Sequence, residues 1–127
     1  MRRILLSLLT WLFVSASAAA PLPPAAMTEV DGLMNRLEAS GCEFQRNGSW
    51  HTAAEARSHL LRKLKYLEDM GAVKSAEQFI ELAASTSSLS GEPYRVRCAN
   101  SAPVASRTWM LWQLQALRSA PAATKAP

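Results

Sequence analysis

Cys42 and Cys98 are the only cysteines among the 127 residues, and their pairing restricts this chain more than any other feature. The case for a bond between them starts at the N-terminus. Met1-Arg2-Arg3 is a charged start, residues 4–14 are an apolar run broken only by Ser7 and Thr10, and residues 15–20 are all small. That order is the pattern of a secretory signal peptide. At about 1.5 Å per residue the apolar run reaches roughly 16 Å, short of a hydrocarbon core of about 30 Å, so a retained anchor does not fit. Cleavage is expected after Ala18, with Ala20 as the outer limit, and a periplasmic location follows. An even cysteine count in an exported chain reads as one disulfide. Its loop is worth roughly 4 kcal/mol on the chain-entropy view. A redox or metal pair would want CxxC spacing or more cysteines, and the sequence has neither.

The staple carries a register with it. Cys42, Phe44 and Arg46 alternate onto one face of an extended segment, and Tyr94, Val96 and Cys98 do the same. Placing Cys42 opposite Cys98 in an antiparallel pair sets Phe44 against Val96 and Arg46 against Tyr94. Covalent bond and both alternations then agree. The expectation is a short two-stranded ribbon, with Arg46 placed for a cation–π contact on Tyr94 or for simple cross-strand packing. Asn47-Gly48 after it is a turn signal, which is also how the Asn47-Gly48-Ser49 glycosylation spelling is read.

The rest reads as helix. Residues 19–27, with PLPPAA at 21–26, form an extended leader. Thr28 is an N-cap candidate for a short helix with Val30, Leu33, Met34 and Leu37 on one face, closed by Ser40-Gly41. Thr52-Ala53-Ala54-Glu55 is a capping box opening the best helix of the chain. Its stripe is Ala53, Ala56, Leu60, Leu64 and Leu67, and its stop is Gly71. Ser75-Ala76-Glu77-Gln78 opens a shorter helix. Ser106 or Thr108 caps a last one, where Met110, Leu114 and Leu117 form a core stripe. There Trp109, Trp112 and Ala116 form a second stripe, buried or kept for a partner. The fold class expected is mainly α: a small four-helix domain over residues 28–119 with a two-stranded ribbon and one disulfide, followed by a disordered tail at 120–127.

Charge narrows the partners. Losing Arg2 and Arg3 with the leader leaves 12 basic residues against 10 acidic ones. A net charge of about +2 gives no nucleic-acid footprint. After leader cleavage no membrane span is expected, and no cofactor is implied.

Candidate chemistry lies on the edge of the long helix. Glu55, His59 and Lys63 form an i, i+4, i+8 ladder, with Tyr66 on the same flank. Such a ladder serves as a solvated edge held by pairs worth about 0.2–0.5 kcal/mol each. It also serves as a polar site in which Glu55 and Lys63 tune His59 as a general base. A metal site lacks ligands, because His51 and His59 are two turns apart and no HExxH occurs. A Ser–His–acid triad lacks the GxSxG elbow.

Three blocks resemble the YfeK-like family, small exported bacterial proteins grouped as a domain of unknown function. They are CEFQRNGSWHTAAEARSHLLRK at 42–63, SAEQFI at 75–80, and STSSLSGEPYRV at 85–96. With Trp109 and the closing helix they cover most of residues 28–118. The resemblance implies export and a compact, mainly helical domain, and it implies no reaction. Joined to the ribbon register, it gathers Arg46, Asn47, His59, Lys63, Ser88, Ser90 and Tyr94 on one candidate surface. That set is rich in donors and suits a carboxylate, a phosphate or an acidic glycan. It also suits loops tied to one another by hydrogen bonds.

Three functions are compatible with these residues. One is a non-catalytic envelope protein binding a partner protein or an anionic ligand. Another is a small hydrolase using His59 with a serine or Glu55. The last is an inhibitor of a cell-wall hydrolase, from the string Ser90-Gly91-Glu92-Pro93-Tyr94. That string's usual hosts are β-rich, and the slight positive charge repels basic lysozymes.

Overall fold

The computed structural model describes residues 11, 12 and 21–120. The signal-peptide segment lies outside them, except for Trp11 and Leu12, which are exposed and belong to no element. The tail beyond residue 120 also lies outside them. The elements run α1 (Pro24–Ser40), β1 (Glu43–Arg46), β2 (Ser49–His51), α2 (Ala53–Asp69), α3 (Ala76–Ala83), β3 (Arg95–Arg97), β4 (Val104–Ala105) and α4 (Ser106–Ser119).

The ribbon is a correction. The strands form a four-stranded antiparallel sheet in the order β2-β1-β3-β4. Its middle pair has the anticipated register, Phe44 opposite Val96, flanked by Glu43–Arg97 and Gln45–Arg95. One step beyond, Cys42 and Cys98 are disulfide-bonded with Cα atoms 4.3 Å apart, the spacing of a non-hydrogen-bonded antiparallel pair. Two strands went unread for physical reasons. Asn47 and Gly48 both take positive φ, 50° and 81°. They make a two-residue turn of the kind that matches strand twist. The turn folds Ser49–His51 back onto β1, so the chain before the capping box is a strand. β4 is two residues long, too short for any alternation, and β3 pairs with it through Arg95–Ala105 and Val96–Val104.

α1 also starts earlier than the Thr28 cap suggests. Pro24 is in its first turn, after Pro23 in extended conformation. Proline suits that position because the first helical N–H groups have no partner in any case. Residues 24–27 are therefore helical rather than extended, and Leu22 just before them is buried in the core. Thr28 is an internal residue whose hydroxyl donates to the Pro24 carbonyl. Gly41 closes the helix in the left-handed conformation, φ 65°. Both N-caps form: Thr52 accepts from the Glu55 N–H and Ser75 from the Gln78 N–H, while the Gln78 side chain reaches back to the Lys74 N–H. α4 has no side-chain cap. Ser106 is instead its first residue, fully buried, with a hydroxyl that has no partner among the described residues.

α1 packs against α2, α3 and α4, and its Val30, Leu33, Met34 and Leu37 are fully buried. The sheet closes the core through Phe44 and Val96, with Trp109 of α4 buried as well. Trp112 stays 55 % exposed, so the second stripe of α4 is split between core and surface. Arg118 joins α4 to α1 and α3 by pairing with Glu29 and Glu77, and Arg57 joins α2 to Glu38 of α1. No helix among the described residues is long and apolar enough to cross a membrane.

Candidate functional site

The capping box at Thr52 fixes where α2 begins, and so fixes which residues sit over the sheet. His59 and Lys63, one turn apart on α2, reach Tyr94. Tyr94 is held just ahead of β3 by its own N–H to the Ser85 carbonyl and by its carbonyl, which accepts from the Ser106 N–H. Its ring packs on Phe44, with centroids 5.0 Å apart, and is almost wholly buried. Arg46, the last residue of β1, comes from the other side.

A chain of hydrogen bonds joins the four. Arg46 meets His59 Nδ1 at 2.6 Å, His59 Nε2 meets Tyr94 Oη at 3.1 Å, and Lys63 Nζ donates to Tyr94 Oη at 3.2 Å. A guanidinium only donates, so Nδ1 is the acceptor and the imidazole proton sits on Nε2, which donates to Tyr94. Lys63 also donates to the Thr86 carbonyl at 3.0 Å, and its ammonium lies 4.9 Å from the Tyr94 ring centroid. The cation on Tyr94 is thus Lys63, whereas Arg46 is engaged by His59.

The electrostatics follow from an imbalance. Arg57, Lys65, Arg97, Arg107 and Arg118 each meet a carboxylate. Arg46, Arg62 and Lys63 meet none among the described residues, nor do Arg36, Lys74 and Arg95, but the first three are the ones close to His59. Burial first, then the positive charges of Arg46, Lys63, Arg62 and His51, pull the His59 pKa down to about 4. The imidazole is neutral at pH 7, as its acceptor role toward Arg46 requires. Burial and the Arg46 charge also lower the Lys63 pKa. Burial raises that of Tyr94, partly offset by Arg46.

Beside this network lies an open cleft of about 380 Å³, lined by His59, Arg62, Lys63, Tyr66, Leu67, Leu82 and Ser88. Of the anticipated residues, Arg46, His59, Lys63 and Tyr94 are brought together, and Ser88 faces the same cleft. Asn47 and Ser90 bond to each other, Ser90 Oγ to Asn47 Oδ1 at 2.8 Å. They tie the hairpin turn to the serine-rich loop. Glu55 is turned away from His59. Its carboxylate takes His51 Nδ1 at 3.2 Å and the Thr52 hydroxyl, and these two hydrogen bonds lower its pKa. Arg62, Leu67 and Leu82 are not among the expected site residues; Leu67 is expected only in the core stripe. The first two share the α2 stripe with His59, Lys63 and Tyr66 at i, i+3, i+4, i+7 and i+8, a spacing visible in the sequence. Leu82 comes from α3, and only the tertiary packing brings it there. No cluster of three or more His, Cys, Asp or Glu side chains suited to a metal occurs among the described residues.

A second hollow, about 240 Å³, lies between the sheet and α4 and includes Val96, Cys98, Val104, Trp109 and Trp112. No charged side chain among the described residues lines it.

A family of unknown function (DUF5329) matches residues 24–118, from the first residue of α1 almost to the end of α4. The chain belongs to that family. It is also similar to the uncharacterized protein YfeK of Salmonella typhimurium strain LT2, at 36 % identity over 92 residues, which cover 72 % of this chain and 68 % of the relative. No solved structure matches it. The matched span of this family member contains the whole cleft and all four residues of the network. Neither the family's description nor the relative's name states an activity.

Proposed function

We propose that the protein is an exported, non-catalytic envelope protein that binds an anionic ligand in the cleft beside His59 and Lys63. The observation that carries this reading is that Arg62 and Lys63 line one hollow, with Arg46 behind it on His59, and that none of the three has a carboxylate partner among the described residues. Holding like charges close together without counter-charge is unfavourable, and an incoming carboxylate or phosphate relieves that cost with charge-assisted hydrogen bonds. Lys63 uses two of its three donors within the protein, which leaves one to offer. Ser88 adds a hydroxyl on the same wall.

Export is supported by the charged, apolar and small-residue sequence of the first 20 residues and by the disulfide. A hydrolytic role for His59 has less support. Arg46 and Tyr94 occupy both ring nitrogens, and Glu55 pairs with His51 instead of orienting the ring. The binding reading is tested by titrating the protein with phosphate and small carboxylates and reading the rise in thermal stability. Lys63→Gln and Arg62→Gln should each weaken binding by about tenfold or more, the scale of one charge-assisted hydrogen bond. Arg62 is exposed, so its variant should keep the unliganded stability. Unchanged affinity in both variants would overturn the reading.

A further inference from the structure

The cleft is not uniform along α2. His59, Arg62 and Lys63 occupy one end, with Ser88 contributing a hydroxyl to the lining. One helical turn on, about 5.4 Å along the axis, the lining becomes Tyr66 and Leu67, joined by Leu82 of α3. Tyr66 is 65 % exposed and Leu82 45 %, so no group among the described residues covers this apolar end. Donors and cations at one end and a mainly apolar surface, two leucines and the Tyr66 ring, at the other describe a molecule with the same polarity along its length.

We propose that the ligand is an amphiphilic anion, one acidic head group carried on a short apolar tail, and this rests on the anion-binding reading above. The head sits on the free donor of Lys63 and on the Arg62 guanidinium. The tail lies over Leu67 and Leu82 with Tyr66 at its side. Charge complementarity fixes the head, because Arg62 and Lys63 are the charged side chains lining the cleft and neither meets a carboxylate among the described residues. The volume fixes the tail. About 380 Å³ is near the lower end of small-molecule sites and takes a single short chain. It suits a free molecule in solution rather than a two-chained membrane lipid.

The test is calorimetric titration of the full disulfide-bonded protein at pH 7 and constant ionic strength. The probes are butyrate, hexanoate, octanoate, 1-octanol, inorganic phosphate and vesicles of phosphatidylglycerol. Affinity should rise about fourfold for each methylene buried between butyrate and octanoate. Octanol should bind at least about tenfold more weakly than octanoate, for want of the charge-assisted bond. Arg62→Gln should weaken octanoate and leave octanol unchanged, and vesicles should not compete. If butyrate and phosphate bind as tightly as octanoate, the amphiphile proposal falls while anion binding stands. If octanol matches octanoate and Arg62→Gln changes neither, anion binding itself falls. Binding to vesicles with none to octanoate overturns the free-ligand assignment, and binding to no probe overturns both readings.

Discussion

His59 has the partners of a structural acceptor. Arg46 donates to Nδ1, and the proton on Nε2 goes to Tyr94 Oη, so protonating the ring means forcing a second proton against a guanidinium. Burial and four nearby basic groups put the folded pKa at about 4, below the ordinary value of about 6.5. The sign of the pH effect follows. Between those values the unfolded chain binds a proton that the folded chain refuses, so stability rises with pH in that window and falls as pH drops from about 6.5 toward about 4. His59→Gln, which keeps an acceptor and a donor but cannot titrate, should flatten that part of the profile when chemical denaturation is followed at stepped pH. An unchanged slope would mean that His59 is solvated and not part of the network.

At the level of elements, one covalent bond organises the sheet. Cys42 and Cys98 extend the β1–β3 register by one step and close a loop that would otherwise cost chain entropy. Replacing both cysteines by serine should lower unfolding free energy by about 2–4 kcal/mol, read by urea denaturation. This part of the fold was legible, because alternation in two segments and a cysteine at the end of each leave one consistent pairing. The outer strands were not. β2 depends on the Asn47–Gly48 turn reversing the chain, and its three residues Ser49, Trp50 and His51 carry no alternation. β4 is defined only by the strand it meets. α1 was placed one turn late because Pro23 and Pro24 look extended, although proline at the first helical position is well accommodated. The site divides in the same way. Arg46, His59, Lys63 and Tyr94 follow from register and helical spacing, whereas Glu55 was misplaced. Spacing of i, i+4 allows a contact with His59, but the strand that delivers His51 offers Glu55 a partner next to the cap.

Across the whole molecule, salt bridges and the apolar core serve assembly, whereas the cations close to His59 meet no carboxylate among the described residues. Arg118 clamps three helices through Glu29 and Glu77, and the shared pull of those carboxylates raises its already high pKa. On the opposite pattern, Arg46, Arg62 and Lys63 gather near His59 without an acid among the described residues, and burial with the Arg46 charge lowers the Lys63 pKa. Anion affinity should therefore decline with rising pH earlier than for a lysine of ordinary pKa. The most direct check of the central claim is a map of where an anion lands. Amide and side-chain NMR spectra of the isotope-labelled protein, recorded through an octanoate titration at pH 7, report it residue by residue. The largest shifts are expected at Arg62, Lys63, Tyr66, Leu67, Leu82 and Ser88, with smaller ones at His59 and Tyr94. Shifts concentrated instead around Trp109, Trp112 and the Cys98 loop, with the α2 residues still, would contradict it.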